Sequence, residues 1–345
     1  MRGMTLRAGL IGFGLAGRYF HAPLLTAAGI ELRYVTTSRT QELASVHRDA
    51  TALDSAQALI ARDDIDLVVI ASPNPLHVPQ ARSALLAGKH VVVDKPISIT
   101  ATEAQSLADL ARERGLMLAA FQNRRWDSDF LTIRKLLQAQ RLGQIVSFRA
   151  RWDRFRPAIA DRWRERDEPG SGMLYDLGSH LIDQALCLFG RPDWLQADVF
   201  VQRQAGVVDD GFEILMGKGS LRISLGVGSL AGPGDFRYCI HGMQASYLKQ
   251  GLDPQEDQLR AGMTPLDEGF GIEPREQWGT LLSTTSSQRE TIPAERGRWL
   301  TFYESVRQSI AGGTAAPVAA DEARNMLELI EAARRSSRDG RRIVF

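Results

Sequence analysis

Three side chains in this sequence have the chemistry to move a proton to or from a substrate oxygen. Lys95 stands in Val91-Val92-Val93-Asp94-Lys95-Pro96. Asp176 and His180 stand one helical turn apart in the stretch that runs from Gly170-Ser171-Gly172 to Asp183. A lysine ammonium donates hydrogen bonds to an oxygen that gains negative charge. An imidazole with carboxylates four residues before and three residues after it is suited to accept that oxygen's proton near neutral pH. Asp176 would orient the substrate or hold His180 in its useful tautomer. Oxidation of a secondary alcohol needs these roles and, beside them, a hydride acceptor.

The elements that must position these groups start with a glycine turn. Leu6 to Gly12 is a short apolar run, and Leu15 to Ala28 has helical spacing. Between them lies Gly12-Phe13-Gly14-Leu15-Ala16-Gly17. The first glycine permits a tight turn, the second lets backbone approach a pyrophosphate, and the third lets helix and strand pack closely. Phosphates would sit at the helix N-terminus, where free N–H groups and the dipole favour negative charge. The alternation continues with strands at Glu31 to Thr36, Ala50 to Leu53, Asp66 to Ala71, His90 to Asp94 and Met117 to Phe121. Their near-continuous aliphatic runs fit strands covered on both faces. Asn74-Pro75 reads as an N-cap with proline at the first helical position, and Thr100 with Glu103 as a capping box. Lys95 then falls just past the C-terminal end of a parallel strand, the edge where such sheets bind ligands. Pro96 fixes the backbone after it and is compatible with a cis peptide, which sequence alone does not establish.

The second strand ends at Thr36-Thr37-Ser38-Arg39, where an NAD-binding chain usually carries a carboxylate for the ribose 2′-hydroxyl. No carboxylate occurs in that window. Ser38 and Arg39 offer a hydroxyl and a guanidinium suited to a 2′-phosphate, so NADP is expected, with NAD as second choice. An ordinary surface arginine is the competing reading.

Composition excludes several classes. The chain has 345 residues, long enough for two domains, with 44% hydrophobic and 24% charged residues. Forty-two Lys plus Arg balance 41 Asp plus Glu, so no global field recruits nucleic acid or an anionic membrane. Two cysteines without CxxC spacing argue against a disulfide framework, and no cluster has metal-ligand spacing, so no metal is expected. No apolar run approaches the ~20 residues of a membrane span. The N-terminus reaches a strand within about five residues and lacks the apolar region of a signal peptide, so a cytoplasmic protein is expected.

Taken together, the fingerprint, Ala71-Ser72-Pro73-Asn74-Pro75-Leu76-His77, Ala87 to Val91, Asp94-Lys95-Pro96 and the Gly170 to Asp183 segment resemble the glucose-fructose oxidoreductase / inositol dehydrogenase / rhizopine-catabolism (Gfo/Idh/MocA) family over essentially the whole chain. Two departures stand out: Asp94 replaces the family's usual glutamate before Lys-Pro, and Ser171 interrupts a usual triple glycine. Phe121 to Asp127, Arg154-Phe155-Arg156-Pro157 and Trp163-Arg164 are similar to the NADP-dependent branch that includes scyllo-inositol dehydrogenase. The resemblance implies that Ser38, Arg39, Ala71, Ser72, Pro73, Asn74, His77, Asp94, Lys95, Asn123, Trp163 and Arg164 line the cofactor with the fingerprint. Read as residues alone, Trp163-Arg164 is equally an aromatic anchor beside a surface cation. It also implies a homodimer or homotetramer.

The expected fold is α/β: an N-terminal Rossmann doubly wound parallel sheet (1–122), then a C-terminal α+β domain (123–345). In that domain a helix near Asp129 to Gln140 precedes a large, mostly antiparallel open sheet. Its strands are Ile145 to Trp152, Trp194 to Gln202, Phe212 to Met216, Leu221 to Leu225 and Phe236 to His241. Gly251 to Arg298 reads as an irregular excursion; helices follow near Arg298 to Ala311 and Asp321 to Ser336, then a terminal strand Arg342 to Phe345. The expected activity is NADP-dependent hydride transfer on a cyclic polyol or sugar, with Arg154, Arg156, Tyr175, Asp176 and His180 meeting its hydroxyls. Two alternatives remain open at this point: a catalytically silent dinucleotide sensor and a nicotinamide-dependent glycosidase.

Overall fold

Residues 5–232 and 236–345 of the computed structural model are described here. The first sheet consists of β1 (Arg7–Ile11), β2 (Glu31–Thr36), β3 (Thr51–Leu53), β4 (Leu67–Ile70), β5 (His90–Asp94) and β6 (Leu118–Phe121), its central strands β4 and β5 being aliphatic runs buried on both faces. The order is β3-β2-β1-β4-β5-β6 and every pairing is parallel. The strand order reverses between β1 and β4, the switch point outside whose carboxyl ends such sheets bind ligands. Helices α1 (Ala22–Ala27), α2 (Thr40–Val46), α3 (Ala56–Ile60), α4 (His77–Leu86) and α5 (Ala101–Glu113) connect these strands.

Local details depart from expectation in two places. The helix expected over Leu15–Ala28 contains one wide π-type turn at Gly17–His21 before α1 begins. Asn74 does not cap α4. It opens a 3₁₀ turn, Asn74–Leu76, whose preceding residue is Pro73, because Pro75 fits the first positions of that tighter turn. The capping box of α5 is present in full: Thr100 Oγ1 accepts from the Glu103 N–H while the Glu103 carboxylate accepts from the Thr100 N–H.

Two compact units divide the chain. The first holds the residues up to Asn123 together with Gln255–Phe270 and Arg298–Arg324, and the second holds Arg124–Pro254, Gly271–Gly297 and Asn325–Phe345. A division at 122 places Gln255–Phe270 and Arg298–Arg324 in the second block, whereas both segments pack with the first. Within that first unit Phe121 meets Phe302 edge to face at 4.9 Å, Phe20 meets Trp299 at 5.4 Å, and Ala119 bridges Ala319. These rings are large apolar bodies, and closing them over β6 completes the core.

In the second unit α6 (Ser128–Gln138) and α7 (Ser179–Phe189) accompany a nine-stranded sheet. Its strands are β7 (Ile145–Arg151), β8 (Trp194–Phe200), β9 (Gly211–Lys218), β10 (Leu221–Gly228), β11 (Tyr238–Gly242), β12 (Ala245–Lys249), β13 (Gly279–Ser283), β14 (Arg289–Ile292) and β15 (Ile343–Val344). Their order is β14-β13-β12-β11-β7-β10-β9-β8-β15; all pairings are antiparallel except β7 with β10. The stretch expected as an irregular excursion therefore contributes the short helix Gln255–Arg260 and two strands. The strand β12 is hard to read because Lys249 occupies an inward position. Its ammonium is fully buried 3.1 Å from the Glu273 carboxylate. A charge on the core face disguises the alternation that normally marks a strand. Burial pushes the Glu273 carboxyl up, and the Lys249 charge opposes that shift.

Candidate active site

The glycine turn after β1 has the geometry of a phosphate cradle. Gly12 has φ +97°, and a Cβ there would lie 2.7 Å from the Ala71 carbonyl oxygen; one on Gly17 would lie 2.0 Å from the Gly12 oxygen. Only hydrogen fits at either place, so helix and strand approach as closely as the fingerprint requires. At Gly14, by contrast, a Cβ would meet nothing within 4 Å, which leaves the tip of the turn open. Phe13 is buried with its ring edge-on to His47, and Leu15 is half exposed. The Ala71 N–H donates to the Ile11 carbonyl and the Gly12 N–H to Thr36 Oγ1 at 2.9 Å, so the ends of β1, β2 and β4 are tied together. Thr36 was not singled out in the sequence; a hydroxyl at the last residue of the second strand is the signal that marks it.

Ser38 and Arg39 lie exposed at the end of β2. The Arg39 guanidinium is 3.7 Å from the Glu42 carboxylate, and Arg18, from the turn after the fingerprint, pairs with the same carboxylate. Two cations thus share one anion where a ribose substituent is expected. Arg18 is a second basic residue at this place, and its position directly after Gly17 is the signal in the sequence that marks it.

Lys95 follows β5 at the C-terminal edge of the same sheet, and the Lys95–Pro96 peptide is cis. Asp94 accepts a 2.8 Å hydrogen bond from the Lys95 N–H, which fixes the backbone carrying the ammonium. His77, the first residue of α4, is buried, with Nδ1 2.8 Å from the Pro96 carbonyl oxygen and Nε2 2.8 Å from that of Ser72. The Ser72 hydroxyl donates to Gln80. Pro73 is extended, Asn74 is buried, and Asn123 is buried at the start of a 3₁₀ turn after β6.

In the second unit the Gly170–Asp183 segment enters α7 through a π-type turn, Leu174–Gly178, that carries Asp176. Wide turns of this kind recur at functional sites. Asp209 holds its start: its Oδ2 accepts from the Leu174 N–H at 2.7 Å, and a Cβ on Gly172 (φ +88°) would lie 2.3 Å from its Oδ1. Burial pushes the Asp209 carboxyl up, while the Leu174 N–H and Arg334 oppose that shift. His180 is buried, its ring 6.0 Å from that of Trp152, and the Arg124, Arg154 and Arg237 guanidiniums lie 4.7–5.2 Å from the same indole. The Arg164 guanidinium, stacked on Trp163, lies 3.5 Å from Asp176.

Residues expected around His180 also bond to other elements. The Asp183 carboxylate takes two hydrogen bonds, 2.8 and 2.7 Å, from Arg125, which assigns it an ion-pair role. Gln184 donates to the Arg124 carbonyl and accepts from the Tyr238 hydroxyl. Tyr175 is buried beside Arg334, and Arg156 is exposed with its N–H donated to the Ser229 carbonyl. The loop bearing Trp163 is held by Arg203, which bonds both Glu165 (2.6 Å) and Asp210 (3.0 Å) in the interior. Among the described residues no group of three or more His, Cys, Asp or Glu is arranged to hold a metal ion. No helix among them is long and apolar enough to cross a membrane.

A parallel sheet that reverses order beside a glycine cradle, followed by a separate α/β unit, defines a nicotinamide-dinucleotide oxidoreductase. The chain matches the models "Oxidoreductase family, NAD-binding Rossmann fold" over residues 6–122 and "Oxidoreductase family, C-terminal alpha/beta domain" over 134–345. It belongs to the Gfo/Idh/MocA oxidoreductase family. It is 40% identical to scyllo-inositol 2-dehydrogenase (NADP(+)) IolW of Bacillus subtilis, across 99% of this chain and 96% of that protein. It is likewise 40% identical to the uncharacterized oxidoreductase YdgJ of Escherichia coli, across 95% of each. Among solved structures, the oxidoreductase yvaA of Bacillus subtilis superposes with a TM-score of 0.96 at 39% identity, covering 99% of this chain and 98% of that one.

Proposed function

We propose that the protein is an NADP-dependent dehydrogenase of a cyclic polyol or related sugar, in which Lys95 and His180 handle the proton. The observation that carries this reading is the seat of Lys95. It directly follows a buried strand, at the sheet edge where the glycine cradle opens, and its backbone is held by Asp94. The similarity to scyllo-inositol 2-dehydrogenase supports an inositol-like substrate.

The fingerprint, Ser72 to Asn74, Asn123 and, at the ribose, Ser38 and Arg39 would hold the dinucleotide. When bound it supplies the hydride acceptor or donor at the nicotinamide ring. The Lys95 ammonium hydrogen-bonds the substrate oxygen and favours its alkoxide character. His180 accepts the hydroxyl proton during oxidation and returns it during reduction. Asp176, with Arg164 beside it, orients a neighbouring hydroxyl. Arg154, which lies over the indole that His180 neighbours, would meet another. Because a neutral imidazole is the base, oxidation should rise as pH climbs through roughly 6 to 8. We also infer a homodimer or homotetramer through the nine-stranded sheet, which light scattering of the purified protein would check.

The deciding experiment follows absorbance at 340 nm for inositols, aldoses and ketoses with NADP and NAD in parallel. Turnover of a cyclic polyol with NADP is the expected result. Sustained absence of hydride exchange across the panel, with dinucleotide still bound, would favour a silent sensor instead.

A further inference from the structure

We propose that His77 is held as an imidazolium that staples the loop after β4 to the loop after β5, and that this staple positions Lys95. The second half rests on the catalytic reading of Lys95; the first half does not.

Donors and acceptors decide the protonation of this ring. A neutral imidazole has one N–H and one lone pair, whereas a carbonyl oxygen can only accept. Both His77 nitrogens lie 2.8 Å from carbonyl oxygens, those of Pro96 and Ser72. With either neutral tautomer, one contact would set a nitrogen lone pair against an oxygen lone pair at hydrogen-bond distance. A doubly protonated ring donates to both, and each bond becomes charge-assisted. The two acceptors belong to adjacent loops at the ligand-binding edge, and Pro96 is covalently joined to Lys95. Losing the staple frees the carbonyl that follows the lysine.

A second buried histidine, His21, lies close enough to interact with His77. His21, from the π-type turn after the fingerprint, has Nε2 3.9 Å from the Asp94 carboxylate and Nδ1 2.6 Å from the Tyr303 hydroxyl. Burial pushes the His21 ring down to about 4, with Asp94 opposing and His77 adding to the shift. Burial likewise keeps the Tyr303 phenol protonated. His21 is therefore neutral, accepts from Tyr303 at Nδ1 and turns its Nε2–H toward Asp94. One histidine held neutral beside one held charged is the kind of divergence that separates structural from functional roles.

Histidine-ring NMR of the ¹⁵N-labelled full-length protein between pH 6 and 9 tests the protonation directly, with His77→Asn supplying the assignment. The expected result is a ring with protons on both nitrogens at pH 8, where a histidine titrating near ~6.5 would be neutral. A neutral ring at pH 7.5 would overturn the proposal. Kinetics test the positioning. His77→Phe removes both bonds and should lower kcat about 10- to 100-fold with a smaller change in KM. It should also move the pH at which oxidation begins to rise. His77→Asn keeps a donor near Nδ1 for Pro96 and should recover part of the loss. Wild-type kcat and pH profile in His77→Asn and His77→Phe would refute the positioning. If Lys95→Ala alone left turnover intact, the catalytic reading would fail while the NMR result stood.

Discussion

The choice between NADP and NAD offers a quantitative test, centred on Arg39, Arg18 and Glu42. The Arg39 side chain is 59% exposed and shares the Glu42 carboxylate with Arg18. A hydrogen bond to a charged group is worth ~1.5–3 kcal/mol, and exposure with solvent screening puts Arg39 at the low end. About 1.4 kcal/mol is tenfold in affinity. Arg39→Ala should therefore raise the Kd for NADP about tenfold and leave that for NAD unchanged, since NAD has no 2′-phosphate to lose. Glu42→Gln removes the competing anion from both guanidiniums. An exposed pair contributes ~0.2–1 kcal/mol, so NADP should bind about 1.4- to fivefold tighter. Fluorescence titration of both nucleotides at 0.05 and 0.5 M salt is the assay, and the NADP advantage should shrink at high salt. Equal losses for both nucleotides in Arg39→Ala, or no loss for either, would refute the reasoning.

Lys95→Ala and His180→Ala should each lower kcat/KM by about 10² to 10⁴ while the fold, followed by circular dichroism, is retained. Lys249→Met leaves the fully buried Glu273 carboxylate without its cation, and urea unfolding should show a loss of about 3–5 kcal/mol; the double variant Lys249→Met/Glu273→Leu should recover most of it. His21 is neutral in the fold with its pKa at about 4 but protonates near ~6.5 when unfolded. The unfolded chain thus binds the extra proton between these values, and stability should fall as pH drops through that window, by roughly 3 kcal/mol from this group. Urea midpoints from pH 7 to 4 in wild type and His21→Asn check it, the variant showing the shallower loss. Gly172→Ala places a methyl group against Asp209 in a backbone region that favours glycine. It should lower the melting temperature and, by loosening the start of α7, kcat as well.

The first sheet was legible because its central strands, β4 and β5, are buried on both faces and are written mainly in Val, Ile and Leu, and because a glycine turn follows β1. The capping box of α5 was equally plain, since its two partners stand three residues apart. What escaped is non-local or disguised. Asp209 caps the turn carrying Asp176 from 35 residues downstream of Leu174, a spacing that no local pattern announces. Lys249 hides β12 by bringing a charge inward. Asp183 looked like a carboxylate supporting His180, but a helix face shared in sequence does not reveal that Arg125 holds it from another element. The sequence leads to His77 as a cofactor neighbour but not to its contacts with Ser72 and Pro96, which depend on two loops meeting at the folded β4–β5 edge.

The return of residues 298–324 to the first unit sets a timetable for synthesis. Trp299, Phe302 and Tyr303 shield Phe20, His21 and Phe121, and Val318 accepts the Ala120 N–H. A ribosome that has delivered the whole glycine cradle and Lys95 has still to translate about two hundred residues before those aromatic partners emerge. The nascent domain must wait with greasy surface uncovered, a natural client for a holdase. A fragment cut after Asn123 should therefore aggregate rather than serve as a free-standing nucleotide binder.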